Sequence, residues 1–187
     1  MESFDKMISK ILALFHSRKH ESKETLDKIY LQNDKFLPVV CELLNAGQTV
    51  TLKARGYSMR PFIEHDRDDL IFAKADRVEE RDVILAEIYK GHYVCHRVEK
   101  IEGNSITLRG DGNIRGTENC TLDDVRGRLI QVIRLGKTWN LDDSRFWKIY
   151  SAVWPKLLPI RKYLLAINKL FILRQMPDRW KQKNNRR

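Results

Sequence analysis

The chain lacks any cysteine pattern typical of a metal site or a disulfide framework. Its three cysteines, Cys41, Cys95 and Cys120, are dispersed, and no Cys-x-x-Cys pair occurs. This spacing indicates neither a zinc site nor paired disulfides, and it fits a reducing cytoplasm. We therefore predict no bound metal, and no motif in the chain predicts a cofactor.

Long hydrophobic runs are also missing. No stretch reaches the roughly 18 to 20 consecutive apolar residues that a membrane-spanning helix needs. The N-terminal segment has an apolar run only over residues 11–15, carries Glu2 and Asp5, and has no small-residue cleavage site after it. It is not typical of a signal peptide. We expect a cytoplasmic protein, with peripheral binding to the inner face of the membrane as a further prediction for its C-terminal segment.

Acidic residues are nearly absent from that C-terminal segment. Residues 145–187 contain 12 Lys or Arg and one acidic residue, whereas the other 144 residues contain 23 basic and 24 acidic ones. The excess positive charge lies on an apolar stretch with Phe146, Trp147, Trp154 and Leu157, which favours anionic lipid over nucleic acid as its ligand. The alternative is a pair of amphipathic helices that packs on the rest of the protein. Both interpretations stay open.

Apolar spacing divides the chain into three segments. Residues 1–47 follow the helical period and end at Gly47, and from Gln48 the period falls to about two, which indicates strands. Glycine-containing turns separate these strands. We predict a small, coiled, mostly antiparallel β domain at residues 48–136, with N-terminal helices at 1–47 and basic amphipathic helices at 137–187. The strands are expected at residues 48–54, 69–73, 82–89, 93–101, 105–109 and 125–135.

Ser58 and His96 are the candidate catalytic pair. Ser58 follows Gly56 and precedes Met59 and Pro61, and His96 comes 38 residues later in a β-type run. A serine hydroxyl becomes nucleophilic when a base takes its proton and fixed donors stabilise the oxyanion. We expect backbone support for the oxyanion from Gly56, Ser58 and Met59. The alternative for His96 is a core histidine that bonds the backbone, since alternation puts it on the inner face of its strand.

Asp111 is the candidate third member of this site. It lies in Gly110-Asp111-Gly112-Asn113, where one interpretation is a hairpin turn and the other is an acid that orients the imidazole of His96. Two aspartate pairs are further candidates for this role, Asp68-Asp69 and Asp123-Asp124, although both pairs and Asp82 are expected to cap turns and strand ends.

Five short motifs occur together in one order. They are Gly56-x-Ser58-Met59-x-Pro61, Asp69-Leu70-Ile71, Asp82-Val83-Ile84, His96-Arg97-Val98 and Gly110-Asp111-Gly112-Asn113. Their order and approximate spacing resemble the conserved motifs of the signal peptidase I and LexA-like superfamily of serine peptidases. The resemblance covers residues 50–135. His-Arg-Val is similar to the archaeal and endoplasmic-reticulum branch, because most bacterial members have a lysine at the base position.

This resemblance implies a serine endopeptidase that cuts a peptide or precursor protein. Ser58 would be the nucleophile, His96 the general base and Asp111 the orienting acid. One alternative is a non-catalytic or self-processing regulatory module of the same fold that binds a peptide. Another is a basic protein that binds membrane or nucleic acid through residues 145–187.

Overall fold

The computed structural model describes residues 33–175, and the side chains of residues 36–170. It opens with helix α1 (Asn33–Asn45). Gly47 follows in the turn after this helix, and its φ of +78° suits a residue without a Cβ. The helical pattern expected at residues 2–16, and the start of the one that begins at residue 26, lie outside the described residues.

Eight antiparallel strands form one sheet. The strand order is β1-β2-β7-β3-β4-β5-β6, and β8 pairs with β7. The bounds are β1 (Val50–Lys53), β2 (Asp68–Ala73), β3 (Val83–Tyr89), β4 (His92–Glu102), β5 (Ser105–Arg109), β6 (Glu118–Thr121), β7 (Val125–Arg134) and β8 (Lys137–Asn140). The predicted mainly β class with flanking helices is confirmed. β6 and β8 were not predicted, since both are four residues long and mostly polar.

The sheet packs a hydrophobic cluster on each face. One cluster joins Leu44 of α1, Phe62 of the β1–β2 connection and Trp147 to the sheet. The other lies among β3, β4, β5 and β6, with Ile84 and Leu108 fully buried. Because β3 lies between them, its residues 83–86 are buried on both faces, which explains their unbroken apolar run.

The C-terminal segment packs on the sheet. Ser144 caps α2 (Arg145–Val153) by accepting a hydrogen bond from the Trp147 N–H, at 3.2 Å. A 3-10 helix (Trp154–Ile160) and α3 (Arg161–Gln175) follow. Trp147 and Trp154 are only 7% exposed. On the C-terminal side of the predicted boundary at residue 136, β8 pairs with β7 in the sheet and both tryptophans are buried.

These burials correct one expectation for the C-terminal segment. Trp147 packs against Phe62 with ring centroids 4.3 Å apart, and the Trp154 indole N–H donates to the Asp111 carbonyl oxygen at 2.9 Å. Neither indole is available to a membrane interface. No helix among residues 33–175 is both long and apolar enough to span a bilayer.

Candidate active site

Ser58 lies in the loop between β1 and β2, and the part of the loop that follows it is anchored in two ways. Met59, Phe62 and Ile63 are buried in the first hydrophobic cluster, while Ser58 itself is half-buried. In the same part of the loop, the Arg60 guanidinium bonds the carboxylate of buried Glu64, with Nε at 2.8 Å from Oε2. The apolar anchors and this ion pair fix the chain on the C-terminal side of Ser58.

The loop that carries Asp111 packs directly against Ser58. The Gly112 N–H donates to the Ser58 carbonyl oxygen at 2.7 Å. A Cβ added at Gly110 would lie 2.5 Å from that same oxygen, and one added at Gly112 would lie 2.7 Å from the Tyr57 oxygen. The two glycines are therefore required for close contact between the backbones, so the predicted Ser58 and Asp111 motifs do meet in space.

His96 forms a hydrogen-bonding contact with a residue that sequence reasoning missed. It is 6% exposed in β4, where it pairs with Ile84 of β3, and its Nδ1 lies 2.9 Å from Oε2 of Glu118. A carboxylate only accepts hydrogen bonds, so Nδ1 carries the proton and Nε2 has a free lone pair in the neutral ring. This tautomer is the one that a general base needs.

Strand register explains why Glu118 reaches His96. Val98 of β4 pairs with Leu108 of β5, and Leu108 pairs with Glu118 of β6, so these three side chains lie on one face of the sheet. His96 lies on the same face, because it comes two residues before Val98 in β4. β5 ends at Arg109, and the next residue in line with His96 is Gly110. Because Gly110 has no side chain, nothing on that face of β5 separates Glu118 from the imidazole.

The predicted hydrogen bond between Asp111 and His96 is not present. Asp111 is 2% exposed and instead accepts two hydrogen bonds from Arg97, at 2.8 Å from Nε and 2.7 Å from Nη2, and a third from the Tyr150 hydroxyl at 3.1 Å. Neighbouring residues of a strand point to opposite faces, so Arg97 faces Asp111 while His96 faces Glu118. Alternation in β4 thus separates these two predicted site residues.

The Arg97–Asp111 pair joins the site to the C-terminal helices. Arg97 Nη1 donates to the Ser151 hydroxyl of α2 and to the Arg81 carbonyl oxygen, each at 2.8 Å. Burial and then the negative charge of Asp111 raise the pKa of Tyr150 far above its ordinary value, so its hydroxyl stays protonated and donates. For Arg97, burial lowers the pKa, but the attraction of Asp111 outweighs it and the pKa is raised. The Arg97 guanidinium is therefore charged at neutral pH.

The Ser58 hydroxyl makes no hydrogen bond within residues 33–175, and in particular none with His96. In the same described range, the backbone N–H groups of Ser58 and Met59 have no acceptor, whereas the Gly56 N–H is already used by Nδ1 of His65 at 3.1 Å. Two of the three predicted backbone donors are thus available. Catalytic hydrogen bonds are often long or misaligned without substrate.

The nearby thiols do not compete as nucleophiles. Burial raises the pKa of Cys95 to about 12 and that of Cys120 to about 11, so both are protonated at neutral pH. In the part of the chain that the structure describes, no three His, Cys, Asp or Glu side chains are grouped so as to hold a metal ion.

The other candidate aspartates have structural partners. Asp82 accepts from the Glu79 N–H and Asp124 from the Thr121 N–H, as expected for turn caps. Asp68 differs, because it is fully buried and binds Arg67 and Arg134. Burial would raise the pKa of Asp68, but the hydrogen bonds from both arginines hold it below its ordinary value.

Comparison with known proteins adds one finding. A family model described as Peptidase S24-like matches residues 20–126, more than half of the chain. The matched range contains Ser58, His96, Asp111 and Glu118. Comparison with curated proteins finds no match.

Proposed function

Since the chain belongs to the Peptidase S24-like family, we propose that it is a serine endopeptidase that cuts a peptide or precursor protein. Ser58 is the nucleophile of this proposal and His96 is the general base. The observation that carries it is the 2.9 Å contact between His96 Nδ1 and Glu118, which favours the tautomer with an unprotonated Nε2. Because the base of this proposal is a histidine, we propose that the protein belongs to the histidine-type branch.

The reaction follows the usual course of acyl transfer. His96 Nε2 takes the proton of Ser58 Oγ as that oxygen attacks the scissile carbonyl carbon, and the Ser58 and Met59 N–H groups bind the resulting oxyanion. The imidazolium then gives its proton to the leaving amine. Water, activated by the same imidazole, hydrolyses the acyl ester and regenerates Ser58. Glu118 stabilises the imidazolium, while Asp111 and Arg97 support the loop on which Ser58 lies.

Edge strand β1 provides a way to bind an extended substrate. Among the described residues β1 pairs only with β2, and its last residue, Lys53, lies five residues before Ser58. A peptide added as a further strand along β1 would use backbone hydrogen bonds for affinity and side-chain pockets for specificity. We propose cleavage after a small residue of such a peptide.

The test compares cleavage of small-residue peptide libraries by wild type, Ser58→Ala and His96→Ala. Loss of a catalytic serine or its base costs several orders of magnitude in rate, so we expect at least about a 1,000-fold decrease for each. Exposed Ser105 and His92, replaced by alanine, are matched controls and should cleave as wild type. Equal cleavage by all five proteins would contradict the assignment.

A second candidate is a non-catalytic or self-processing module of the same fold. The missing hydrogen bond between Ser58 and His96 favours it, because a site without that bond can still hold a peptide. Intact mass followed over time distinguishes the candidates. Loss of mass that Ser58→Ala abolishes indicates self-cleavage, whereas a constant mass with peptide binding and no turnover indicates a binding module.

A further inference from the structure

The C-terminal helices have an inner and an outer face. The inner face is buried and includes Trp147, Ser151, Trp154 and Arg161. The outer face carries six large hydrophobic side chains that are between 45% and 67% exposed. We call these six the outer apolar face: Ile149, Val153, Ile160, Tyr163, Ile167 and Leu170.

Helical spacing aligns these side chains. Ile149 and Val153 are four residues apart on α2. The other four begin with Ile160 at the end of the 3-10 helix, continue on α3, and are separated by three, four and three residues. Six of the thirteen exposed large hydrophobic side chains among the described residues thus lie within residues 149–170. Exposed apolar side chains concentrated along one side of each helix are typical of an interaction site rather than of ordinary solvent exposure.

The charge around the outer apolar face is of one sign. Residues 145–170 contain no Asp or Glu, and five exposed cations lie there: Arg145, Lys148, Lys156, Lys162 and Lys169. None of the five makes an ion pair with any of the side chains described, those of residues 36–170. Lys162 Nζ lies 4.7 Å from the centroid of the Tyr163 ring, so this cation sits beside an apolar group. A protein partner that matches this face would need a strongly acidic surface of the same size. The headgroups of an anionic membrane present negative charge over a surface of any size.

From this pattern we propose that the outer apolar face binds a membrane surface that contains anionic lipid. The apolar side chains would enter the boundary between headgroups and acyl chains, and the lysines would lie at headgroup level. Six further Lys or Arg and one Asp follow in residues 171–187 and add to the attraction. The proposal does not depend on catalysis, because none of its residues belongs to the Ser58 site.

The test is flotation of the full chain with vesicles of phosphatidylcholine alone or mixed with phosphatidylserine. We expect binding to the mixed vesicles only. Removal of two charges in Lys162→Gln/Lys169→Gln should weaken binding about 25-fold, since each lysine near an anionic surface contributes about a fivefold change in affinity. The matched control is Lys74→Gln/Lys90→Gln, which changes the net charge equally on exposed residues elsewhere and should bind within about threefold of wild type.

A second pair of variants tests the apolar contribution. Ile167→Glu should abolish flotation, while Tyr89→Glu, at a comparably exposed hydrophobic position of β3, should leave it unchanged. The proposal is overturned if the full chain does not float with the mixed vesicles, or floats equally with both kinds. Flotation that survives Ile167→Glu overturns it as well. A shift of duplex or single-stranded DNA without flotation would replace lipid by nucleic acid as the ligand.

Discussion

Asp111→Asn removes the negative charge that faces Arg97 while keeping almost the same side-chain shape. The side chains of Arg97 and Asp111 are 3% and 2% exposed, and two short hydrogen bonds join them. Removing one partner leaves the other charge buried without compensation. We therefore expect this variant to lose stability rather than catalysis alone.

The magnitude follows from this burial. Breaking a buried ion pair by removing one partner costs about 3–5 kcal/mol, and because asparagine keeps one acceptor oxygen we expect a value near 3 kcal/mol. For a chain of this length each kcal/mol lowers the melting temperature by about 2–4 °C, so the expected decrease is roughly 6–12 °C. Tyr150→Phe removes only one hydrogen bond to the carboxylate and should cost about 2 kcal/mol.

Urea unfolding followed by tryptophan fluorescence is the assay, because buried Trp147 and Trp154 lie next to this network. Asp123→Asn, at an exposed aspartate, is the matched control and should be within about 0.5 kcal/mol of wild type. If Asp111→Asn unfolds within about 1 kcal/mol of wild type but no longer cleaves peptide, Asp111 acts in catalysis directly and the reasoning is refuted.

Three further predictions concern the same region. Glu118→Gln should lower kcat about 10- to 100-fold at neutral pH with little change in unfolding, since it alters only the partner of His96; an unchanged kcat would exclude an orienting role. Gly110→Ala should destabilise the fold by about 1–3 kcal/mol, because its Cβ would lie 2.5 Å from the Ser58 oxygen, and wild-type stability would contradict this. Because folding lowers the pKa of Asp68, its carboxylate should stabilise the protein at pH values above 3.8, the ordinary pKa of an aspartate. That stabilisation should be lost as the pH falls through the lower pKa of the folded state. Asp68→Asn should not lose stability in this way on acidification. Identical acid unfolding of wild type and Asp68→Asn would contradict the prediction.

Local patterns predicted most of the fold. Alternation of apolar residues located six of the eight strands, and glycine-containing turns located their connections. β6 was missed because Glu118 and Asn119 interrupt any apolar alternation, and β8 because three of its four residues are polar. Such short edge segments are strands because a neighbour supplies their hydrogen bonds, which is not a property of the segment itself.

Ser58 and His96 were predictable as candidates because their chemistry and their motifs are local. The acid that bonds His96 was not. Asp111 was chosen because it is near His96 in motif order, yet it binds Arg97, and the carboxylate that meets the imidazole comes from Glu118, 22 residues beyond His96. His96 and Arg97 are neighbours and therefore point to opposite faces of β4. The acid that each one meets depends on the register of β4, β5 and β6.

Composition, local periodicity and motifs were enough to predict the class of the fold, the candidate serine and histidine, and the location of the basic excess in residues 145–187. The partners of these residues are known from the folded chain alone: His96 with Glu118, Arg97 with Asp111, and the tryptophans of the C-terminal segment with the sheet. This division arises because propensity, turn chemistry and charge are properties of neighbouring residues. Contacts across strands and between helix faces depend on register and packing, which bring together residues that are distant in the chain.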